Sequence, residues 1–493
     1  MRPSWTRGRL QALIREGLGD RPLIVVSNRE PWVHRRRNGC IAVERPASGL
    51  VTALEPFAEA SGGTWIAHGS GDDDRRCVDA NDHVAVPPEH PSYQLRRLWL
   101  SDAEQDGFYT NLANRGLWPL CHVAFVPPLF EAAHWQTYRE VNQRFAEAVL
   151  QEAKGQPAVV FLQDFHLALV PQLLRQAHAD LTLVQFWHVP WPNLELLRTF
   201  PYADELVQGL LGNDLIGFQL PAHVHNFVEA AAELLQVRPT AHGEGLQVNG
   251  HRTQVAAYPI SIDFQHWSEL AASGAVAEAM QRWRQRLGIV HPQLLGVGME
   301  RLDYTKGLPQ RLRAVERLLQ HQPQLQGRFR FVQVLANSRS QIPEYHALHQ
   351  EVEALGQQIN RQWATNDWQP VELLVEEIDL LDLIALQRLG AFCVVSSLHD
   401  GMNLVAKEFV AARCDGDGVL ILSRFAGSAL ELADALQVHP YSVEELADAM
   451  AQALAMPEPE RRRRMASLRQ QVEEHNVYRW GGRIFTDILQ LKP

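Results

Sequence analysis

The stretch that most constrains this chain lies near its C-terminal end, at residues 391–412. Residues 391–396 form a short apolar, β-branched run, which is typical of a buried parallel strand. Residues 404–412 place apolar side chains at helical spacing. Asp400, Gly401 and Asn403 therefore lie where a strand ends and a helix begins, which is where open α/β sheets bind ligands. An Asp and an Asn there suit a polyol, although an ordinary capped turn explains the same residues.

The same alternation of strand and helix recurs along the chain. It predicts an α/β protein with two Rossmann-like domains that face one another, each built on a parallel, doubly wound sheet. Strands are predicted in the first half at residues 22–27, 158–163, 181–187 and 214–218. In the second half they are predicted at residues 294–299, 329–335, 371–375, 391–396 and 418–423.

The domain boundaries follow from this alternation and from the length of 493 residues. We expect an N-terminal extension at residues 1–20, helical around residues 10–18, and a first domain at 21–260. A second domain is expected at 261–476, and an amphipathic helix at 477–493 that crosses back to the first domain.

Composition excludes several classes of protein. The net charge of −11 argues against a general nucleic-acid binder. Five scattered cysteines show no metal spacing and indicate a reducing cytoplasm. No apolar run reaches the roughly 18 residues that a membrane span needs, and no signal-peptide segment follows the basic N-terminus.

A second group of polar residues follows the predicted strand at 294–299. Arg301 and Lys306 would place two cations beside a helix N-terminus, an arrangement that suits a diphosphate. A departing diphosphate needs its charge met by a metal or by fixed cations, and the sequence offers cations but no convincing metal cluster. The acidic run Asp72-Asp73-Asp74 is interpreted as a solvated loop.

Two long motifs carry a family resemblance: His399 to Glu408, and Glu300 to Gly307. With them the sequence resembles the trehalose-6-phosphate synthase family from about Pro22 to the C-terminus. Shorter motifs agree in the same order, namely Ser27-Asn28-Arg29, Leu117-Trp118-Pro119, Asp164-Phe165-His166-Leu167, residues 188–192, residues 214–218 and Phe425-Ala426-Gly427. The resemblance implies a retaining GT-B glycosyltransferase that moves glucose from a nucleotide diphosphate glucose to a sugar phosphate, with no metal required.

The resemblance also implies roles for individual residues. Catalytic roles fall to Arg301, Lys306, His188 and Asp400. The donor would be bound by Gly49, His188, Arg301, Lys306, Asp400, Gly401, Asn403, Leu404 and Glu408, with the diphosphate on the two cations and the ribose on Glu408. The acceptor would be bound by Arg29, Tyr109, Trp118, Asp164 and Arg339. His166 and His122 are interpreted as structural, and core packing is the favoured explanation of Trp118 taken on its own.

Departures from the family pattern lie on the acceptor side and in the N-terminal loop. Ser48-Gly49 replaces a Gly-Gly loop, His68 stands where a tryptophan is expected, and His399 replaces an arginine. Residues 29–32 (Arg-Glu-Pro-Trp) are similar to glucosylglycerol-phosphate synthases, which use glycerol 3-phosphate and ADP-glucose. The expected acceptor is glucose 6-phosphate, and the alternative acceptor is glycerol 3-phosphate. Two alternative functions are a pseudo-glycosyltransferase that joins cyclitols and a catalytically silent sugar-phosphate sensor.

The expected partners are the small-molecule substrates, and neither nucleic acid nor a membrane is expected to bind. We expect a cytoplasmic protein that forms a homo-oligomer. The nucleotide sugar is a co-substrate, no other cofactor is expected, and the sequence leaves the donor base open. The mechanism implied is a front-face transfer in which the departing phosphate helps to deprotonate the acceptor hydroxyl.

Overall fold

A computed structural model describes residues 4–37, 39–46, 49–177, 180–240, 245–248, 250–288, 294–376 and 378–491. The chain divides into two compact units, Met1–Ile260 together with Val477–Pro493, and Ser261–Asn476. Among the described residues, no helix has the length and apolarity to cross a membrane.

The first unit is built on a ten-stranded sheet in the order β10-β11-β12-β9-β8-β7-β1-β4-β6-β5. Its middle strands, from β12 to β6, are all parallel, and antiparallel strands extend both edges. A separate hairpin pairs β2 with β3. The strands are β1 Leu23–Arg29, β2 Val33–Arg37, β3 Cys40–Glu44, β4 Thr64–His68, β5 His83–Val86, β6 Tyr93–Leu98, β7 Ala158–Gln163, β8 Leu181–Phe186, β9 Leu215–Phe218, β10 Arg238–Pro239, β11 Gly245–Val248 and β12 His251–Ala257.

The strands that the sequence predicted in this unit are those in the sheet centre. β7 and β9 are buried along their whole length, and β1 along all but its last residue, because helices cover both faces. The edge strands mix polar with apolar residues, and β6 alternates between buried and less buried positions. That alternation gives no continuous apolar run, so the sequence did not single the edge strands out.

Ten helices belong to the described part of this unit, the last of them from the C-terminal end of the chain. They are α1 Arg7–Leu18, α2 Gly49–Ser61, α3 Asp102–Gln105, α4 Trp118–Cys121, α5 Ala132–Ala153, α6 Val170–Ala177, α7 Leu194–Leu197, α8 Ala203–Leu210, α9 Pro221–Leu235 and α18 Val477–Gln490. A π-helical segment, Asp106–Leu117, joins α3 to α4. α18 packs on α1 and α2, with the Trp480 ring 6.2 Å from that of Phe57.

The second unit has a six-stranded, all-parallel sheet in the order β15-β14-β13-β16-β17-β18. Its strands are β13 Leu295–Arg301, β14 Arg330–Ala336, β15 Val371–Leu374, β16 Phe392–Val395, β17 Val419–Ser423 and β18 Leu436–Val438. Its helices are α10 Phe264–Ala271, α11 Gly274–Arg286, α12 Leu308–His321, α13 Pro343–Trp363, α14 Leu380–Leu389, α15 Leu404–Ala412, α16 Val443–Ala455 and α17 Glu458–Glu474.

Both sheets reverse their winding direction at one place. In the second unit the chain starts at β13, proceeds outward to β15, and returns to β16 on the other side of β13. In the first unit the corresponding place lies between β1 and β7. Loops leave such a switch point in opposite directions and open a crevice at the carboxyl ends of the strands. The predicted polar groups follow β1, β7, β13 and β16, so both switch points are candidate binding sites.

Candidate functional site

The second unit's switch point carries the predicted diphosphate cations. Arg301 is the last residue of β13, and a 3₁₀ turn, Tyr304–Lys306, follows. Asp303 fixes this turn by accepting hydrogen bonds from the backbone N–H of Thr305 (3.0 Å) and from its hydroxyl (2.9 Å). The turn brings the Lys306 side chain back to the crevice beside the end of β16.

Lys306 meets Asp400 there. Its ammonium group donates to Asp400 Oδ2 at 2.5 Å, and the same oxygen accepts from the Ser397 hydroxyl and the Asn403 amide, both at 3.2 Å. Burial alone would lower the pKa of Lys306, but Asp400 and Glu300 outweigh it and raise that pKa above its ordinary value. Lys306 is therefore a fixed positive charge that is 7% exposed.

Asn403 holds the other end of the turn. Its φ is +75°, and its side-chain oxygen caps α15 by accepting from the backbone N–H of Ala406 at 3.1 Å. Gly401 is buried beside it, and Leu404 opens the helix. The Asp–Asn turn predicted from the sequence is thus a helix N-terminus with partial positive charge, and Lys306 lies against it.

Glu408 lies on α15, just over one turn beyond its cap. Burial, together with the nearby Glu300 carboxylate, raises the pKa of Glu408 to about 7. A carboxylate at this position can accept two hydroxyl hydrogen bonds once it is ionised. Near neutral pH the Glu408 side chain is therefore present in both its protonated and its ionised form.

Arg339 joins this cluster within the second unit. Its guanidinium is 3.6 Å from Asp303 Oδ2, and Arg301 Nη2 is 4.0 Å from the same oxygen. Burial would raise the pKa of Asp303, but Arg301, Arg339 and Lys306 outweigh it and lower that pKa. Three cations thus surround one buried carboxylate, and the surplus positive charge suits phosphate oxygens. The sequence assigned Arg339 to the acceptor, and the structure places it near Arg301, one of the two cations predicted to bind the diphosphate.

The first unit's switch point gathers the other predicted acceptor residues. Arg29, the last residue of β1, donates to the Tyr109 hydroxyl at 3.1 Å. The Tyr109 ring stacks on His166, with centroids 5.7 Å apart and planes 17° apart. His166 Nδ1 is 3.9 Å from Asp164 Oδ2, immediately after β7. One continuous group of side chains therefore runs from β1 to β7.

Asp164 has the backbone geometry of a constrained site. Its φ is +71°, which is uncommon for a residue other than glycine, and its Oδ1 accepts from the backbone N–H of His188 at 3.2 Å. His188 Nε2 lies 3.0 Å from Gln163 Oε1. Burial lowers the pKa of His188 to about 3, so this imidazole is neutral and acts as a hydrogen-bonding group.

Trp118 lies on the floor of the same region. It is 6% exposed, and its ring is 4.0 Å from that of His122 and 6.2 Å from that of Phe165. This packing agrees with the interpretation of Trp118 as a core residue. Its neighbour Phe165 directly follows Asp164 in the sequence.

His166 also lies in this group of predicted acceptor residues, although the sequence analysis did not include it among them. It was interpreted as structural, and the structure places it between Tyr109 and Asp164. Tyr109 lies on the π-helical segment, a rare conformation that is frequent at functional sites. The residue pattern of residues 106–117 gives no signal of that conformation, so sequence alone could not bring these rings together.

Two positions that depart from the family pattern, His68 and Glu30, are held by contacts inside the first unit. Gly49 begins α2, whereas Ser48 lies outside the described residues. His68 Nδ1 is 3.1 Å from the Leu98 carbonyl oxygen, and burial lowers the pKa of His68. Glu30 is 2% exposed and accepts from Arg97 Nε at 2.8 Å. Glu30 therefore serves an internal ion pair in this unit.

The interpretation of Asp72-Asp73-Asp74 as a solvated loop is wrong for two of its three residues. Asp73 and Asp74 are 1% and 0% exposed. Asp74 Oδ1 lies 2.9 Å from Arg97 Nη2, and Asp73 Oδ2 accepts from Arg36 Nε at 2.8 Å. The acids are buried because cations on other strands neutralise them, and Asp73 also pairs with its sequence neighbour Arg76 at 3.0 Å. Within the described ranges, no three His, Cys, Asp or Glu side chains are grouped to hold a metal ion.

Comparison with known proteins gives a consistent result over nearly the whole chain. Residues 21–490 match the family model described as glycosyltransferase family 20. A trehalose-6-phosphate synthase from Mycobacterium sp. (strain JLS) is 36% identical over 483 residues, covering 96% of this chain and 97% of that protein. A relative of the same name from Mycobacterium tuberculosis is 37% identical and covers 94% of each chain.

Solved structures agree with the architecture. One from E. coli with bound UDP-2-fluoro glucose has a TM-score of 0.85 at 29% identity and covers 96% of this chain and 100% of its own. An α,α-trehalose-phosphate synthase (UDP-forming) from Burkholderia xenovorans in complex with glucose-6-phosphate has a TM-score of 0.84 at 30% identity, with coverages of 94% and 99%. The α/β fold predicted from the sequence, with its parallel sheets, is confirmed as GT-B.

Proposed function

This chain belongs to glycosyltransferase family 20, and we propose that it transfers glucose, with retention, from a nucleoside diphosphate glucose to glucose 6-phosphate. The products are trehalose 6-phosphate and the nucleoside diphosphate. The observation that carries the proposal is the contact of Lys306 with Asp400, beside Arg301, at the switch point of an all-parallel sheet. UDP-glucose is the first donor to test, because the related structures are named as UDP-forming or carry a UDP sugar.

The donor is proposed to lie at the second unit's switch point. Arg301 and Lys306 meet the diphosphate, since both present positive charge beside the turn that opens α15. Asp400 and Asn403 hydrogen-bond the glucose hydroxyls, and the ionised Glu408 accepts from the ribose. By family resemblance, Gly49 and His188 are also proposed to contact the donor. His188 does so as a neutral imidazole.

The acceptor sugar phosphate is proposed to bind through Arg29, Tyr109, Trp118, Asp164 and Arg339. Arg29 and Arg339 supply the charge for its phosphate. Asp164, held in a constrained backbone conformation, is suited to accept from sugar hydroxyls. Glucose 6-phosphate is favoured over glycerol 3-phosphate because the relatives are named trehalose-6-phosphate synthases and one related structure is a complex with glucose-6-phosphate.

The proposed reaction forms a bond from the acceptor's anomeric oxygen to the donor's C1 and breaks the bond from C1 to the diphosphate oxygen. The acceptor hydroxyl proton passes to the departing diphosphate. Arg301 and Lys306 stabilise the negative charge that grows on the leaving group, and Lys306 needs little reorganisation because Asp400 already holds it. Asp400 Oδ2 is engaged by Lys306, Ser397 and Asn403, which favours a positioning role over that of a nucleophile.

A donor-by-acceptor activity matrix tests the proposal. Purified protein is incubated with UDP-, ADP- or GDP-glucose and with glucose 6-phosphate or glycerol 3-phosphate, and nucleoside diphosphate release and the glycosidic product are measured. We expect trehalose 6-phosphate with α,α configuration, and equal rates with and without a chelator because the reaction is proposed to need no metal. Faster release with glycerol 3-phosphate would replace the acceptor assignment. Tight ligand binding without turnover of any pair would favour a sensor.

A further inference from the structure

Arg311 is a fully buried arginine on α12, and its guanidinium lies behind the second unit's switch point. The side chain is 0% exposed. Nε donates to the Ser396 hydroxyl at 3.0 Å, Nη1 to Gln333 Oε1 at 2.9 Å, and Nη2 to Glu300 Oε1 at 3.2 Å. Nη2 also lies 3.4 Å from the Lys306 carbonyl oxygen. One rigid, planar group therefore contacts four separate segments.

Those segments carry the donor-binding side chains. Glu300 directly precedes Arg301 on β13, and Ser396 follows β16 just ahead of the loop that contains Asp400. The Ser396 hydroxyl also lies 3.3 Å from the Lys306 carbonyl oxygen, so it links the two turns.

We propose that Arg311 is a positioning residue for the donor: it fixes Arg301, Lys306 and Asp400 from behind and balances the charge of Glu300. The inference rests on the proposed function, because it assigns these three residues to the donor diphosphate and sugar. Because Arg311 is fully buried, its effect is expected to reach the donor through the residues it holds.

The charge balance is the second part of the argument. Glu300 is 6% exposed, and the charged groups around it are Arg311, Lys306, Asp400 and Glu408. Burial raises the pKa of Glu300, while Arg311 and Lys306 oppose that rise. Without Arg311, an ionised Glu300 would leave an unbalanced negative charge beside the site of a diphosphate.

The sheet leaves room for this guanidinium at one glycine. A Cβ on Gly298 of β13 would lie 2.7 Å from Arg311 Nη1 and 2.4 Å from Gln333 Oε1. A methyl group there would clash with both side chains, so Gly298→Ala perturbs Arg311 together with its partner Gln333 and changes no charge.

The test measures UDP affinity by titration calorimetry on the full chain. Arg413 offers a matched control, because it is also a buried arginine of this unit, is 5% exposed, and donates to the carbonyl oxygens of Gln387, Arg388 and Gly390. We expect Arg311→Met to weaken UDP binding at least about tenfold, and Arg413→Met to change it less than about twofold. Arg311→Lys keeps the positive charge but loses the planar guanidinium, so its UDP affinity should fall between those of wild type and Arg311→Met.

A pH series separates positioning from general damage to the fold. The affinity ratio of wild type to Arg311→Met should grow as the pH rises, because the ionised Glu300 then lacks the Arg311 guanidinium as a partner. The double variant Glu300→Gln/Arg311→Met should lose that growth and recover part of the affinity. Gly298→Ala should weaken binding with no added pH dependence, and it supplies the test if Arg311→Met does not fold.

Three outcomes would overturn the inference. They are wild-type affinity in the folded Arg311→Met and Gly298→Ala variants, equal losses in Arg311→Met and Arg413→Met, or a wild-type protein that binds none of UDP, ADP and GDP. Failure of the proposed function has a different signature. In that case UDP binding would depend on Arg311 as described, but wild-type protein would form no trehalose 6-phosphate.

Discussion

Lys306 is the side chain of the second unit on which the proposed charge stabilisation depends most. It is a buried ammonium with a carboxylate at 2.5 Å, and Arg301 stands at the end of the adjoining strand. We expect Lys306→Ala and Arg301→Ala each to lower kcat by roughly 10²–10³, as for other fixed groups that stabilise a departing anion. Steady-state kinetics with saturating donor checks this. Arg313→Ala, an exposed arginine on the same helix as Arg311, is the control, and near-normal kcat in both site variants would remove the diphosphate assignment.

Glu408 sets a pH dependence that can be measured separately. Its pKa is raised to about 7 in the ligand-free protein, and ribose hydroxyls would donate to its ionised form. Binding should therefore strengthen as pH rises through 7, by about tenfold between pH 6 and pH 8. The ratio of UDP affinities between wild type and Glu408→Gln isolates this effect, because the titration of the nucleotide phosphate is common to both. A ratio that stays flat across that range would show that Glu408 does not bind the ribose.

The turn between β13 and α12 is the element that brings the cations together, and Gly307 makes it possible. Its φ is +65°, and a Cβ would lie 2.3 Å from the Ser396 carbonyl oxygen. Gly327 has φ +75° with open space around it. We expect Gly327→Ala to cost about 1 kcal/mol in unfolding free energy for its left-handed backbone. Gly307→Ala should cost about 2 kcal/mol more for the clash. Urea unfolding checks both values, and equal losses would show that the turn tolerates a side chain.

Elements differed in how well the sequence predicted them. Continuous apolar runs predicted the central strands, and the apolar spacing of residues 404–412 predicted α15, because burial of those side chains is the main local constraint. The buried acids Asp73 and Asp74 were missed, since arginines far along the chain compensate them. The π-helical segment with Tyr109 was missed because its residues also suit an ordinary helix.

At the scale of the whole molecule, the C-terminal helix α18 belongs to the first unit although more than 200 residues separate it from Ile260. Phe485 is 0% exposed, and its ring is 6.4 Å from that of Phe57. We expect Phe485→Ala to lower the unfolding free energy by about 3–5 kcal/mol. Gln490→Ala, at an exposed position of the same helix, should change it by less than about 0.5 kcal/mol. Chemical denaturation followed by a probe in the first unit measures both. A small loss for Phe485→Ala would show that α18 is dispensable there.

The sequence by itself determined the α/β class, the central strands and the polar turns at their carboxyl ends, because these depend on local periodicity and on short motifs. Only the tertiary structure decided which turns meet. The strand orders place β13 beside β16 and β1 beside β7, and these pairings bring Lys306 to Asp400 and group Arg29 with Tyr109, His166 and Asp164. The contacts of Arg311 beside the β13–β16 pairing could likewise not be predicted from a local sequence pattern. The physical reason is that charge balance and ring packing act between residues far apart in sequence, whereas periodicity records only what each segment buries.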